Sequence, residues 1–378
     1  MRLKNILCII PVLAAALSCT DPAAGTGGYG KNAPEYASLI EIADKDGYTE
    51  VSVRNPWDTA GLLHKYILID RDSPVPAGIP AGSIIRTPVE RAVTYSTIHA
   101  AIIEELGKSD KIVGICEPQY LTSAALKKAV REGSIADCGN SVSPNIERII
   151  STQAEVLIAT PFQNSSYGAA EKIGIPIIEG ADYMERHPLG RAEWIRFFGL
   201  LFGCPEKADS IFRSTEKRYT GIRDSVSAAI SAGKAARPLL MAEKRYGGLW
   251  GVAARNSYMA AMYRDAGACY PFGDIEGGGS AQMSFETILE RCINADIWIF
   301  KYASDEPMTY NGLLAEYPLY AEFAPFTDRN IYACNTLGTD YYEVVAIHPE
   351  IILEDLVRIF HPGLLPEKGS AYFGPLSL

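Results

Sequence analysis

The hydrophobic positions of this chain change period along its length, and the changes divide it. From about residue 35 to 85 apolar and polar residues alternate, as in Thr49-Glu50-Val51-Ser52-Val53-Arg54, followed by the more apolar Tyr66-Ile67-Leu68-Ile69. A period of two predicts strands, and these runs predict a small antiparallel β meander over residues 35–85. After Arg86 helical and strand patterns alternate. Thr97–Leu106 reads as a helix stopped by Gly107, Lys111–Cys116 as a buried strand, and Leu121–Glu132 as a helix stopped by Gly133. Pro144–Thr152 is a helix, Val156–Ala159 a strand, Tyr167–Ile173 a helix and Ile175–Glu179 a strand. Such alternation predicts a parallel or mixed sheet covered by helices.

The alternation then stops. Leu189–Phe202 reads as one helix, and Gly203-Cys204-Pro205 breaks it. From Glu206 to about Ser231 there is no proline, and Gly221 is the only glycine. Apolar residues recur at Ala208, Ile211, Phe212, Tyr219 and Ile222, which predicts one helix of about 40 Å at about 1.5 Å per residue. Alternation resumes with a strand at Pro238–Ala242, a helix at Ser257–Asp265 and a helix at Ser284–Arg291. A strand at Ile297–Phe300, a short helical piece at Tyr317–Phe323, a strand at Asn330–Cys334 and a closing amphipathic helix at Pro349–Phe360 complete it. One phrase occurs in both halves. Pro144-Asn145-Ile146-Glu147-Arg148-Ile149 leads into the strand Val156–Ala159, and Ser284-Phe285-Glu286-Thr287-Ile288-Leu289 leads into Ile297–Phe300. The expected fold is therefore α/β, with two Rossmann-like lobes (86–188 and 236–362) joined by one long backbone helix within a linker (189–235), and a tail at 363–378.

The ends and composition add compartment and exclusions. Arg2 and Lys4 precede an apolar run, Ile6–Leu17, too short to span a bilayer comfortably, and the run ends Ala15-Ala16-Leu17-Ser18-Cys19. This is the pattern of a lipoprotein signal peptide (1–18) with lipid added at Cys19, followed by a tether (19–34) rich in Gly, Ala and Pro. The expected location is periplasm-facing and anchored to a membrane by that lipid. A net charge of -10 argues against nucleic acid as a partner. No cysteines show CxxC spacing; Cys116 and Cys138 flank one helical unit and read either as a disulfide or as buried thiols.

Two α/β lobes joined by a long helix behind a lipoprotein signal resemble the class III periplasmic substrate-binding proteins of ABC importers, which capture siderophores, haem or cobalamin. The resemblance covers roughly residues 85–362. It rests on "PNIERI" and "SFETIL", on "AEVLIAT" and "ADIWIF", on the linker start "PEKADSIF" and on "NSYMAAMYRDAGA". It implies that Glu147 and Glu286, one per lobe, dock onto arginines of a permease. Either carboxylate also reads as a helix-dipole partner at a helix start. The resemblance further implies permease and ATPase subunits as partners, a monomeric receptor, no enzymatic activity and no cofactor beyond a bound metal chelate. The meander has no counterpart in it.

Open α/β sheets bind ligands at the carboxyl ends of their strands. That rule selects Tyr95, then Glu117, Gln119 and Tyr120, then Phe162, Tyr183 and His187 in the first lobe. In the second it selects Arg245, Tyr246, Trp250, Tyr302, Tyr341 and Tyr342. Tyr and Trp offer broad, stiff contact with one polar handle each, which suits a ring-rich chelate better than a bare ion. Arg186, Arg191 and Arg245 are candidates to meet carboxylates of the ligand. Of the five histidines only His187 falls on such a loop; it reads as an axial ligand to iron or cobalt or, before Pro188, as a helix-start residue. The expected ligand is an iron chelate, siderophore or haem, with a corrinoid as the alternative. A metal-dependent hydrolase or oxidoreductase on the same frame is the alternative of another class; it requires converging His and Asp ligands, and the histidines are scattered. No GxSxG occurs, and Gly277-Gly278-Gly279-Ser280 lacks the lysine of a phosphate loop.

Overall fold

The structure is a computed structural model that describes residues 34–58, 61–164, 166–366 and 369–378. The expected signal peptide, Cys19 and the tether up to residue 33 lie outside the described residues.

The chain first builds a four-stranded sheet from β1 (Ile40–Lys45), β2 (Tyr48–Arg54), β3 (Leu62–Asp70) and β4 (Ser83–Thr87), in that order. β1–β2 and β2–β3 are antiparallel, but β4 runs parallel to β3, with Tyr66 opposite Ser83. The antiparallel meander is thus corrected at its last strand. Parallel neighbours need a crossover rather than a tight turn, and the stretch 71–82, with Pro74, Pro76, Gly78 and Pro80, supplies one.

The first lobe is a parallel sheet of β5 (Ala92–Thr94), β6 (Ile112–Ile115), β7 (Ala136–Asp137), β8 (Val156–Ala159) and β9 (Ile177–Glu179), ordered β7-β6-β5-β8-β9. Its apolar strands are buried on both faces, as a parallel sheet covered by helices requires. The helices are α1 (Thr97–Glu105), α2 (Ala124–Arg131) and α3 (Ile146–Ser151), each opened by a side-chain cap from Ser96, Ser123 and Asn145. The strand order reverses beside β5, which makes the ends of β5 and β8 the switch point where ligands bind. The expected helix at Tyr167–Ile173 is a 3-10 turn at Gly168–Lys172.

The linker differs from expectation at its start. Leu189–Phe202 is two helices, α4 (Pro188–Glu193) and α5 (Ile195–Leu201), because the Trp194 N–H reaches Arg191 O, three residues back. α6 (Pro205–Ser231) then runs 27 residues without a break. It packs tightly on α5: a Cβ at Gly199 would stand 2.5 Å from the Ala208 Cβ.

The second lobe opens with β10 (Leu240–Ala242). A small antiparallel sheet of β11 (Arg245–Tyr246), β12 (Leu249–Ala253) and β13 (Ser280–Met283) follows, and it was not expected. β14 (Ile297–Tyr302) and β15 (Ile331–Asn335) extend β10 as a parallel sheet, and β16 (Gly374–Pro375) adds an antiparallel edge from the tail. The Asp355 carboxylate fastens that tail, accepting N–H groups of Ala371, Tyr372 and Phe373 at 2.6, 2.8 and 3.0 Å. Helices are α7 (Tyr258–Asp265), α8 (Phe285–Cys292), α9 (Tyr310–Glu316), α10 (Ala324–Thr327), α11 (Tyr341–Ile347) and α12 (Pro349–Phe360). The piece expected at Tyr317–Phe323 is a 3-10 turn.

One continuous apolar core runs through both lobes and the N-terminal sheet. α11 of the second lobe packs on α1 and α4, and α12 packs on α6. Cys116 and Cys138 are buried free thiols, so the disulfide alternative is not realised.

Candidate functional site

The loops after the parallel strands of both lobes converge on one cleft. In the first lobe Tyr95 follows β5, and Glu117 follows β6 in the left-handed region at φ 54. Hydrogen bonds from Asn140 Nδ2 (3.0 Å) and Ser141 Oγ (3.2 Å) hold the Glu117 carboxylate. Phe162 follows β8, and Tyr183 follows β9 with its hydroxyl donating to Pro161 O at 2.7 Å. With Tyr120, Tyr167 and neighbouring loop residues they line a cavity of about 420 Å³.

In the second lobe Glu243 follows β10 at φ 64. Non-glycine residues held at positive φ cost roughly 1–3 kcal/mol each and cluster at ligand sites; both such glutamates here end a strand at the cleft. Glu243 pairs with Lys301 at the end of β14. Burial opposes the charge on Lys301, but the Glu243 carboxylate outweighs it and holds the ammonium well above its ordinary pKa. Lys244 pairs with Glu316 at 2.6 Å, and the Arg245 guanidinium lies over the Tyr317 ring at 4.5 Å. Glu243, Lys244, Arg245, Lys301 and Glu316, with Tyr246, Tyr258, Tyr302 and Tyr342, line a second cavity of about 1460 Å³. Tyr183 and Arg191 line both cavities, so the two are halves of one cleft.

Arg191 sits at the junction. It is buried, its Nε donates to Asp182 Oδ2 at 3.0 Å, and its guanidinium lies over the Tyr258 ring at 4.9 Å. His99 Nε2 lies 3.1 Å from the other Asp182 oxygen. Burial pushes the Asp182 carboxyl upward, yet His99 and Arg191 together hold it below the usual carboxylate range. A fixed, charge-paired cluster of Arg191, Asp182 and His99 therefore stands at the junction of the two cavities.

The apolar part of the site is as distinctive. Tyr120 (61 % exposed), Phe162 (60 %), Tyr246 (89 %) and Tyr342 (47 %) leave large rings open to solvent. Of the residues picked from sequence, Tyr95, Glu117, Tyr120, Phe162, Tyr183, Arg245, Tyr246, Tyr302 and Tyr342 line the cleft. Four do not. Trp250 is 1 % exposed in β12, packed among Trp298, Tyr320 and Phe323, with its indole N–H donating to Ala242 O at 2.9 Å. Tyr341 begins α11 and is buried against Tyr372 and Phe373. Gln119 lies in a 3-10 turn off the cavity wall. His187 caps α4, accepting from Leu189 N–H at 3.1 Å; it stacks on Tyr36 and lies 3.4 Å from Asp265. The helix cap takes its Nδ1, its Nε2 faces the Asp265 carboxylate, and it lines neither cavity, which answers the axial-ligand reading. Arg186 is exposed outside the cleft.

Sequence reasoning missed Lys301, Glu243, Met184, Met259 and Trp57 in the cleft wall. For Lys301 and Glu243 the strand-end rule was sufficient, since each directly follows an apolar run, but aromatic residues drew the selection. Trp57 carried no signal. Glu147 and Glu286 are exposed in the first turns of α3 and α8, beside the caps Asn145 and Ser284. The backbone N–H of Glu286 and the Ser284 hydroxyl hold the Glu286 carboxyl below its ordinary range. Among the described residues no three His, Cys, Asp or Glu side chains converge as a metal site, and no helix is long and apolar enough to cross a membrane.

The sequence model of the periplasmic binding protein family matches residues 92–336, and the chain belongs to that family. An uncharacterized lipoprotein of Methanocaldococcus jannaschii is 25 % identical over 82 % of this chain and 75 % of its own length. A periplasmic heme binding protein from Pseudomonas aeruginosa superposes with a TM-score of 0.60 at 17 % identity, covering 77 % of this chain and 99 % of that one. An ABC-type Fe3+-hydroxamate transport protein from Saccharomonospora viridis gives 0.56 at 17 % identity, covering 72 % and 94 %. The fold these share is the two-lobed frame of class III periplasmic binding proteins.

Proposed function

We propose that this chain is the receptor of an ABC importer, tethered by lipid on Cys19, that captures a ring-bearing iron chelate between its lobes and hands it to a permease. The observation that carries the reading is the cleft: about 1460 Å³ in its larger half, with exposed aromatic rings on both walls. That volume exceeds the usual range of small-molecule pockets, about 300–1,000 Å³. Arg191, paired with Asp182, and Lys301, paired with Glu243, place charge-assisted N–H donors in the cleft wall, and Arg suits a carboxylate or another anionic group of a chelate. The heme and Fe3+-hydroxamate proteins of the same fold support an iron chelate, and a corrinoid is the next candidate. The reading assigns no catalysis: the chain binds and delivers.

The test is to offer purified protein a mixture of haemin, ferric siderophores and cobalamin, and to take absorption and mass spectra of what co-purifies. One retained chelate at about one per chain is expected. Retention of none, with the protein folded, overturns the reading.

A further inference from the structure

Trp57 is unlike the other tryptophans. Trp194, Trp250 and Trp298 are fully buried, and their indole N–H groups donate to Glu185 (2.9 Å), Ala242 O (2.9 Å) and Glu243 O (2.7 Å). Trp57 is half-buried in the turn between β2 and β3 and joins neither apolar core cluster. Among the described residues it stands in no ring pair, and its indole N–H meets no acceptor. It lines the larger half of the cleft, with Tyr183 and Met184.

The turn that presents it is built. Asn55 Oδ1 accepts the N–H of Trp57 at 2.9 Å and of Asp58 at 3.2 Å, and the Asn55 N–H closes on Gly61 O at 3.0 Å. The sheet behind it is fixed to the first lobe. Glu193 accepts the N–H groups of Glu35, Tyr36 and Ala37 at 2.8, 2.7 and 2.9 Å. Glu185 does the same for Ser38 and Leu39, at 2.8 and 2.9 Å. The Tyr66 hydroxyl donates to Ile177 O at 3.1 Å and accepts the Glu179 N–H at 2.8 Å, pinning β3 to the edge strand β9. An indole whose backbone is held by Asn55, outside both core clusters and facing a ligand cleft, is a preorganised contact surface.

We infer that the N-terminal sheet is part of the ligand site. Its β2–β3 turn sets Trp57 as a further wall of the cleft, where the indole stacks on a conjugated ring face of the chelate and its N–H donates to an acceptor at the ring's edge. The inference rests on the receptor reading above and assigns a role to the segment that lies outside the matched family region.

Haemin, cyanocobalamin and ferrioxamine B are titrated into the wild type and the Trp57→Phe, Trp57→Ala and Tyr246→Ala variants, with urea midpoints as the folding control. A tetrapyrrole is expected to bind the wild type. Trp57→Ala weakens it about tenfold and Trp57→Phe less, in keeping with the worth of one aromatic stack, at unchanged urea midpoints. Affinity within twofold of wild type for Trp57→Ala, with Tyr246→Ala weakened, overturns the role of Trp57 and leaves the cleft standing. Affinity unchanged in both alanine variants places the ligand elsewhere and overturns both readings. Binding of ferrioxamine B alone overturns the ring-face contact, and binding of none of the three removes the receptor reading beneath it.

Discussion

Tyr246 and Trp250 show what one residue's side of a strand decides. Both follow β10 and both are aromatic, so a strand-end rule treats them alike. The structure places them in the hairpin β11–β12, where side chains alternate between faces. Trp250 and Val252 point into the core, while Leu249 opposite Tyr246 points out. The period of two is too short here to stand out from a loop, and so the strand-end rule placed the outward ring in the cleft wall, where it lies, and misplaced the inward one there too. The two positions predict opposite phenotypes. Trp250→Ala should cost roughly 3–5 kcal/mol of stability by emptying a core site. Tyr246→Ala should leave stability within about 0.5 kcal/mol and lower only ligand affinity. Urea unfolding beside a binding titration separates them. A stable Trp250→Ala protein with weakened binding would reverse the assignment.

Among elements, the contact between α1 and the corner joining α11 to α12 carries a titratable link. His348, just before α12, lies 3.5 Å from Glu105 of α1 and 3.4 Å from Glu350. Burial works against its charge, but the two carboxylates prevail and push its pKa up to about 9 from 6.5. A raised folded pKa means stability fully present below the unfolded value and lost as pH rises through the folded one. The link between the lobes should therefore be intact up to about pH 6.5 and should fade toward and beyond pH 9. The loss is at most about 3–4 kcal/mol. His348→Gln should flatten that part of the stability profile, as read from urea midpoints at pH 6, 7.5 and 9.5; a variant tracking wild type at all three would refute the link. Helices α1 and α12 were legible because each is amphipathic and bounded by Gly or Pro. Their meeting was not: a histidine before a proline reads as a helix start, and only the tertiary fold brings Glu105 to it.

At the scale of the molecule, the repeated phrase around Glu147 and Glu286 and the unbroken α6 made the two-lobed frame legible, because both are long-range patterns. The additional ties between lobes were not, since they join segments far apart in sequence. α11 packs on α1 and α4, and Thr122 Oγ donates to Glu343 at 3.2 Å. With α6 continuous over 27 residues, these contacts oppose hinge bending. Scattering profiles of the free and ligand-loaded protein should then superpose, and a large lobe rotation on loading would refute the rigid frame. Rigidity bears directly on delivery. On a rigid frame two exposed carboxylates, one at the start of α3 and one at the start of α8, would keep a fixed spacing whether or not the cleft is filled. If they are the posts that seat on permease arginines, two bidentate pairs set the receptor's orientation over the pore without contributing to ligand affinity. Glu147→Ala with Glu286→Ala should abolish uptake in cells while leaving the dissociation constant of the chelate unchanged, and each single change should weaken uptake less than the pair. Uptake at wild-type rate in the double variant, or loss of chelate binding in it, would remove both glutamates from the docking role.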